Sequence, residues 1–179
     1  MKYFTTTLIG FIFSLFMGSG NSSEEINDER LVHYAIKEAA NEVQAKYGFS
    51  FAGISERGDK ENDDKYEIIG FFFHSKRYVS KEEAREITID IVNILLKKLN
   101  TPKIQPFLTV YPFSEKNLEV GVTFQIPKKN WDYSQVAFFG LNTNRVYFWY
   151  KVPNTKYGLR EEYEPYDEAL KKLEHCREF

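Results

Sequence analysis

The stretch Ser80–Leu99, SKEEAREITIDIVNILLKKL, decides the fold. Ser80 and Glu83 stand in the capping-box relation, where each side chain can bond the other residue's free backbone amide. Ala84, Ile87, Ile91, Ile94, Leu95 and Leu99 follow at helical spacing, and Ile89, Val92 and Leu96 widen the apolar surface beyond one stripe. A helix this apolar must be covered on several sides, so the neighbouring segments have to supply a sheet. Thr101-Pro102 ends it, because proline bars its predecessor from helical angles.

Outward from that helix, the segments on either side read as strands. Tyr66–His74 is apolar on both faces, with Ile68 and Phe72 against Ile69, Phe71 and Phe73, the pattern of a central, doubly covered strand. Gly70 in its middle predicts a bulge or a close approach by the helix. On the far side, Phe107–Tyr111 reads as a strand between two prolines. Asn117–Ile126 then alternates Leu118, Val120, Val122, Phe124 and Ile126 with polar residues. Val136–Leu141 and Arg145–Val152 flank Asn142-Thr143-Asn144, whose residues tolerate left-handed angles, and so predict a hairpin. Pro153–Leu159 reads as loop, and Pro165 opens a last short helix with Tyr166, Ala169, Leu170 and Leu173 inward.

Toward the N-terminus, Asn27 can cap a helix running to about Tyr47, with Ile26 and Leu31 as a hydrophobic staple and Gly48 as its left-handed stop. Phe49–Ser55 reads as a strand, and Glu56–Lys65 as a charged loop. The expected order is α-β-β-α-β-β-β-β-α. That is one α+β domain with an antiparallel sheet of about six strands, two long helices on one face and a short C-terminal helix.

The first twenty residues stand apart from this domain. Lys2 precedes the apolar run Leu8–Met17, and Gly18 and Gly20 supply small residues at a cleavage position. This is the pattern of a signal peptide over 1–20, with the domain over 21–179. The run is shorter than the about 20 residues that a spanning helix needs, so no stable membrane span is expected after cleavage. An exported protein, periplasmic or secreted, follows from that reading. Cys176 is the sole cysteine, which forbids an intramolecular disulfide and leaves a disulfide-linked dimer possible.

Composition narrows the function classes. Aromatics make up 17% of 179 residues, which favours strands, and a net charge of −2 without long basic runs argues against nucleic acid. His33, His74 and His175 have no paired ligand spacing, so no metal and no cofactor are expected. His74-Ser75 ends the central strand, but adjacent strand residues face opposite sides and there is no G-x-S-x-G elbow, so no catalytic residue is assigned. Asp59, Glu61, Asp63 and Asp64 form an acidic run that lacks the calcium-loop pattern. In the same loop, Arg57, Gly58 and Asp59 spell an integrin-type adhesion tripeptide.

One aromatic group offers a binding surface. Tyr147 and Trp149 share a strand face with Arg145 and Lys151, charged at its ends and aromatic at its centre, and Trp131 and Tyr133 lie in the preceding loop. Packing as core or cross-strand pairs is the competing reading. The partner expected for such a surface is another protein or a surface glycan.

Tyr111-Pro112-Phe113, Asn117-Leu118-Glu119-Val120 and Glu164-Pro165-Tyr166-Asp167-Glu168-Ala169-Leu170 resemble segments of small exported proteins of unknown function from chlamydia-like bacteria. The resemblance implies an exported α+β domain and brings no activity or functional residues. The helix–strands–helix–strands–helix order is also similar to that of type III secretion chaperones. This chain departs from them in its export signal and its four strands after the second helix. The expected function is a non-enzymatic binding or protein-interaction domain. The alternatives are an exported hydrolase with an unrecognised site, or a chaperone-like dimer that keeps its N-terminus.

Overall fold

A computed structural model describes residues 29–58, 65–125, 133–153 and 158–177. Three helices lie against a six-stranded sheet. In chain order these are α1 (Glu29–Tyr47), β1 (Ser50–Gly58), β2 (Tyr66–Ser75), α2 (Lys81–Leu99), β3 (Leu118–Phe124), β4 (Phe138–Asn142), β5 (Arg145–Lys151), β6 (Leu159–Pro165) and α3 (Tyr166–Arg177). The strands neighbour one another in sequence order from β1 to β6.

The central helix forms as its residues dictate. Ser80 caps α2 by accepting a hydrogen bond from the Glu83 amide at 3.1 Å. The Glu83 carboxylate turns to Arg77 at 2.6 Å, so the expected reciprocal cap is replaced by an ion pair. Ala84, Ile87, Ile91, Val92, Leu95 and Leu99 are buried. At the other end, Asn100 holds both backbone groups of Phe113 with its side-chain amide, at 2.7 and 2.9 Å. α1 buries Val32, Ile36, Ala39 and Val43, and Gly48 closes it at φ 68°. The Tyr47 hydroxyl donates to Asp90 of α2 at 2.6 Å, and burial, then that bond, pushes the phenol up. Burial also pushes the Tyr166 phenol at the start of α3 up to about 12, with Glu115 adding to it.

Several expectations about the sheet are corrected. It is mixed rather than antiparallel throughout, because β2 and β3 pair in parallel while all other neighbours are antiparallel. The connection through α2 is the cause, since a helix that carries the chain back across a sheet starts the next strand in the same direction. The strand expected at Phe107–Tyr111 is absent. Gln105–Phe107 is a 3-10 turn, and Leu108 makes only an isolated bridge to Tyr66. The sixth strand is instead Leu159–Pro165, and β1 runs on to Gly58 where loop was expected.

All three helices cover one face. There Phe71 and Phe73 of β2, Val120 and Val122 of β3, Phe139 of β4 and Phe148 of β5 meet Ile91 and Leu95 of α2 as the core. The expectation that β2 is covered on both faces fails. Ile68, Phe72 and His74 lie on the side away from the helices and are only half-buried. Gly70 is approached by its strand neighbours, since a Cβ there would lie 2.1 Å from Ser55 Oγ and 3.3 Å from Glu119 Cβ. The bulge lies in β1, where the register slips between Phe51 and Gly53 and Gly53 takes φ 151°.

Candidate functional site

The face on which none of the described helices lies carries a row of glycines and rings at matched register. Phe72 pairs with Gly121, Gly121 with Gly140, Gly140 with Tyr147, and Tyr147 with Tyr163. Period-two alternation puts these residues on one side, opposite the core residues of the same strands. The two central glycines remove side chains from the middle of this face: Gly140 lines the hollow that results, while the Phe72 and Phe138 rings lean into the space over Gly121. A Cβ on Gly121 would lie 2.8 Å from the Phe72 ring and 3.2 Å from that of Phe138, and one on Gly140 would lie 1.8 Å from the Val120 carbonyl oxygen.

The result is a recess of about 290 Å³, walled by Phe72, Phe138, Tyr147 and Trp149 and bordered by Glu119 and Asn142. Phe138 and Trp149 meet edge to face, with centroids 6.3 Å apart and planes at 80°, and so make a right-angled corner. Tyr147 extends the aromatic surface to Tyr163, 5.8 Å away and 56% exposed. The β4–β5 turn closes one end. It takes φ 50° at Thr143 and 60° at Asn144, the left-handed pair that a two-residue hairpin needs, so the expected hairpin forms with Asn142 in the strand rather than in the turn. The Glu119 carboxylate reaches over Gly70 toward β1, where the Ser55 hydroxyl lies 3.4 Å from it.

Of the expected binding residues, Tyr147 and Trp149 line the recess. Arg145 lies on the same face with its guanidinium 4.8 Å from the Tyr163 ring centroid, outside the recess. Lys151 occupies the far end of β5, opposite Leu159. Tyr133 is 48% exposed before β4 and does not line the recess. Trp131 falls outside the described residues, as do Asp59, the acidic run at 59–64, the segment 1–20 and the Cys176 side chain. Arg57 belongs to β1 and pairs with Glu67 at 3.1 Å, and Gly58 ends that strand.

Sequence reasoning missed Phe72, Glu119, Phe138 and the glycine row. The signal that points to them is a glycine at the non-core phase of three strands that become neighbours, at Gly70, Gly121 and Gly140. His74 and Ser75 face opposite sides as expected. His74 Nδ1 lies 2.6 Å from Thr123 Oγ1, whereas Ser75 Oγ is buried and donates to the Arg77 carbonyl at 2.9 Å.

A second hollow, about 110 Å³, lies between α2 and α3 over Ile89, Leu170 and Leu173 with Glu86, Asp90 and Glu174 at its edge. Asp90 there is already taken by Lys46 and Tyr47. Among the described residues no group of three His, Cys, Asp or Glu side chains is placed to hold a metal, and no helix is long and apolar enough to cross a membrane. Comparison of the chain with protein-family models, curated proteins and solved structures returned no match.

Proposed function

We propose that this protein is an exported, non-enzymatic binding domain that receives a small ligand in the aromatic recess of its open sheet face. One observation carries the reading. Phe72, Phe138, Tyr147 and Trp149 are gathered half-buried around a hollow at Gly140, with no helix among the described residues laid across them. Core aromatics on strands ordinarily face the covered side, as Phe71, Phe73, Phe139 and Phe148 do here. Large rings held half-open on a rigid sheet present apolar area that is already ordered, which lowers the entropic cost of binding. The volume lies at the low end of ligand sites, where about 300 Å³ suits a single small molecule or headgroup. Export rests on residues 1–20 and would show as a mature chain beginning near Asn21.

The test uses tryptophan emission. The chain has two tryptophans, so Trp131→Phe leaves Trp149 as the sole reporter inside the recess. A panel of monosaccharides, amino-acid derivatives and lipid headgroups is titrated against this variant. At least one class is expected to change its emission saturably, and Tyr147→Ala, in a folded variant, to weaken that response. No saturable change from any class contradicts the proposal.

A further inference from the structure

We infer that the ligand of this recess carries a quaternary ammonium group and is a free small solute of the choline type. The inference rests on the binding role proposed for the recess and adds to it the chemistry of the ligand. Four aromatic side chains and one carboxylate are among the residues that line this half-open hollow, and neither lysine nor arginine is. Aromatic faces are electron-rich, and a cation placed against them is attracted most strongly when it sheds water easily. A tetraalkylammonium does so, because it has no N–H groups to leave unbonded and its methyls pack against rings as hydrocarbon does.

The geometry fits such a group. The perpendicular pair Phe138–Trp149 sets two ring planes nearly at right angles in the wall of the recess, and a cation seats against ring faces, since ring edges carry the positive end of the quadrupole. Glu119 borders the recess and supplies a counter-charge at its rim, with its carboxylate lying toward Ser55 on the β1 side. Glu161 stands opposite Trp149 in the β5–β6 register and adds a second carboxylate to the same face. The molecule already places cations over rings of these strands, with Arg160 on Tyr150, Lys81 on Phe148 and Arg145 on Tyr163, each within 5.1 Å of the centroid. Seating Arg145 on Tyr163 keeps its charge to the side of the recess.

A free solute fits better than a membrane headgroup. The ends of this face carry both signs, Arg145 and Lys151 with Glu119 and Glu161, so it lacks the one-sign field that draws a protein onto a charged bilayer. The Asn142–Thr143 turn also closes one end of the recess, which suits a compact group more than a passing chain.

The experiment titrates Trp131→Phe protein with choline, with its uncharged carbon isostere 3,3-dimethylbutan-1-ol, and with phosphatidylcholine vesicles. Choline is expected to shift Trp149 emission saturably and to bind at least about tenfold more tightly than the isostere. Glu119→Gln, checked by melting to be folded, is expected to weaken choline about tenfold and to leave the isostere unchanged. Equal binding of choline and isostere, or an unaltered choline affinity in Glu119→Gln, overturns the assignment of a cation. A response to vesicles alone overturns the free solute. If choline fails while a neutral member of the wider panel binds, this inference falls and the binding recess stands. If no probe binds, both fall.

Discussion

Gly121 and Gly140 sit side by side on β3 and β4, and each keeps the open face low for a different reason. At Gly121 the obstacle to a side chain is the Phe72 ring, 2.8 Å from the missing Cβ, and a ring can swing. At Gly140 the obstacle is the backbone carbonyl of Val120 at 1.8 Å, which cannot move without opening the β3–β4 pair. Gly121→Ala is therefore expected to cost about 1 kcal/mol and to weaken ligand binding, while Gly140→Ala costs about 3 kcal/mol or more. Urea unfolding of both variants checks the order, and a smaller cost at Gly140 would contradict the close approach. This difference was not legible in the sequence, where both glycines read simply as weak points of a strand. It depends on which residues the register brings across.

At the scale of elements, β6 shows why part of the fold escaped the hydrophobic pattern. Its sequence, LREEYEP, has no apolar residue on the side that meets the helices. That side carries Arg160, Glu162 and Glu164, and ion pairs replace the missing hydrocarbon. Glu164 is buried against Arg85 of α2, which bonds it with two nitrogens, and Lys172 of α3 closes on the same carboxylate. Lys81 holds Glu162 at 2.7 Å. A strand built this way reads as a charged loop until its partners are known. The opposite error at Phe107–Tyr111 has the same origin: Leu108 is buried from a turn that meets the sheet only at Tyr66, while Val110 and Tyr111 are exposed.

The charged link also sets a pH dependence. Burial would raise the Glu164 carboxyl, but the bonds from Arg85 and Lys172 outweigh it and hold the group below its ordinary value of 4.5. A carboxyl depressed in the folded state contributes stability that is complete above that ordinary value and is lost as pH falls through the folded one. Unfolding free energy is thus expected to drop below pH 4.5, and the drop to shrink in Glu164→Gln. Arg85→Met leaves the carboxylate buried with Lys172 alone and is expected to cost about 3 kcal/mol at neutral pH. Unchanged melting in Arg85→Met would show that the pair does not fasten β6 to α2.

For the whole molecule, much of the architecture could be read ahead. The helices α1 and α2, the β4–β5 hairpin and the one-sided α+β arrangement follow from apolar spacing, caps and turn residues that act within a few positions. Strand direction did not, since the parallel β2–β3 pair depends on where α2 returns the chain. The two faces of β2 were also misread as equally covered. Phe72 is apolar like Phe71 and Phe73, yet it stands on the open side, beside Phe138 and above Gly121. Apolar residues on a face that no helix among the described residues covers are the molecule's departure from a plain two-layer fold, and the functional account rests on them.

Backbone amide shifts of isotope-labelled protein, followed as choline is added, test that account most directly. Progressive shifts are expected at Gly121, Gly140 and Thr143 and along β5 near Trp149, with the amides of α1 and α2 unmoved. Shifts confined to the helix layer, or none at concentrations that saturate the emission change, would contradict the open sheet face as the ligand site.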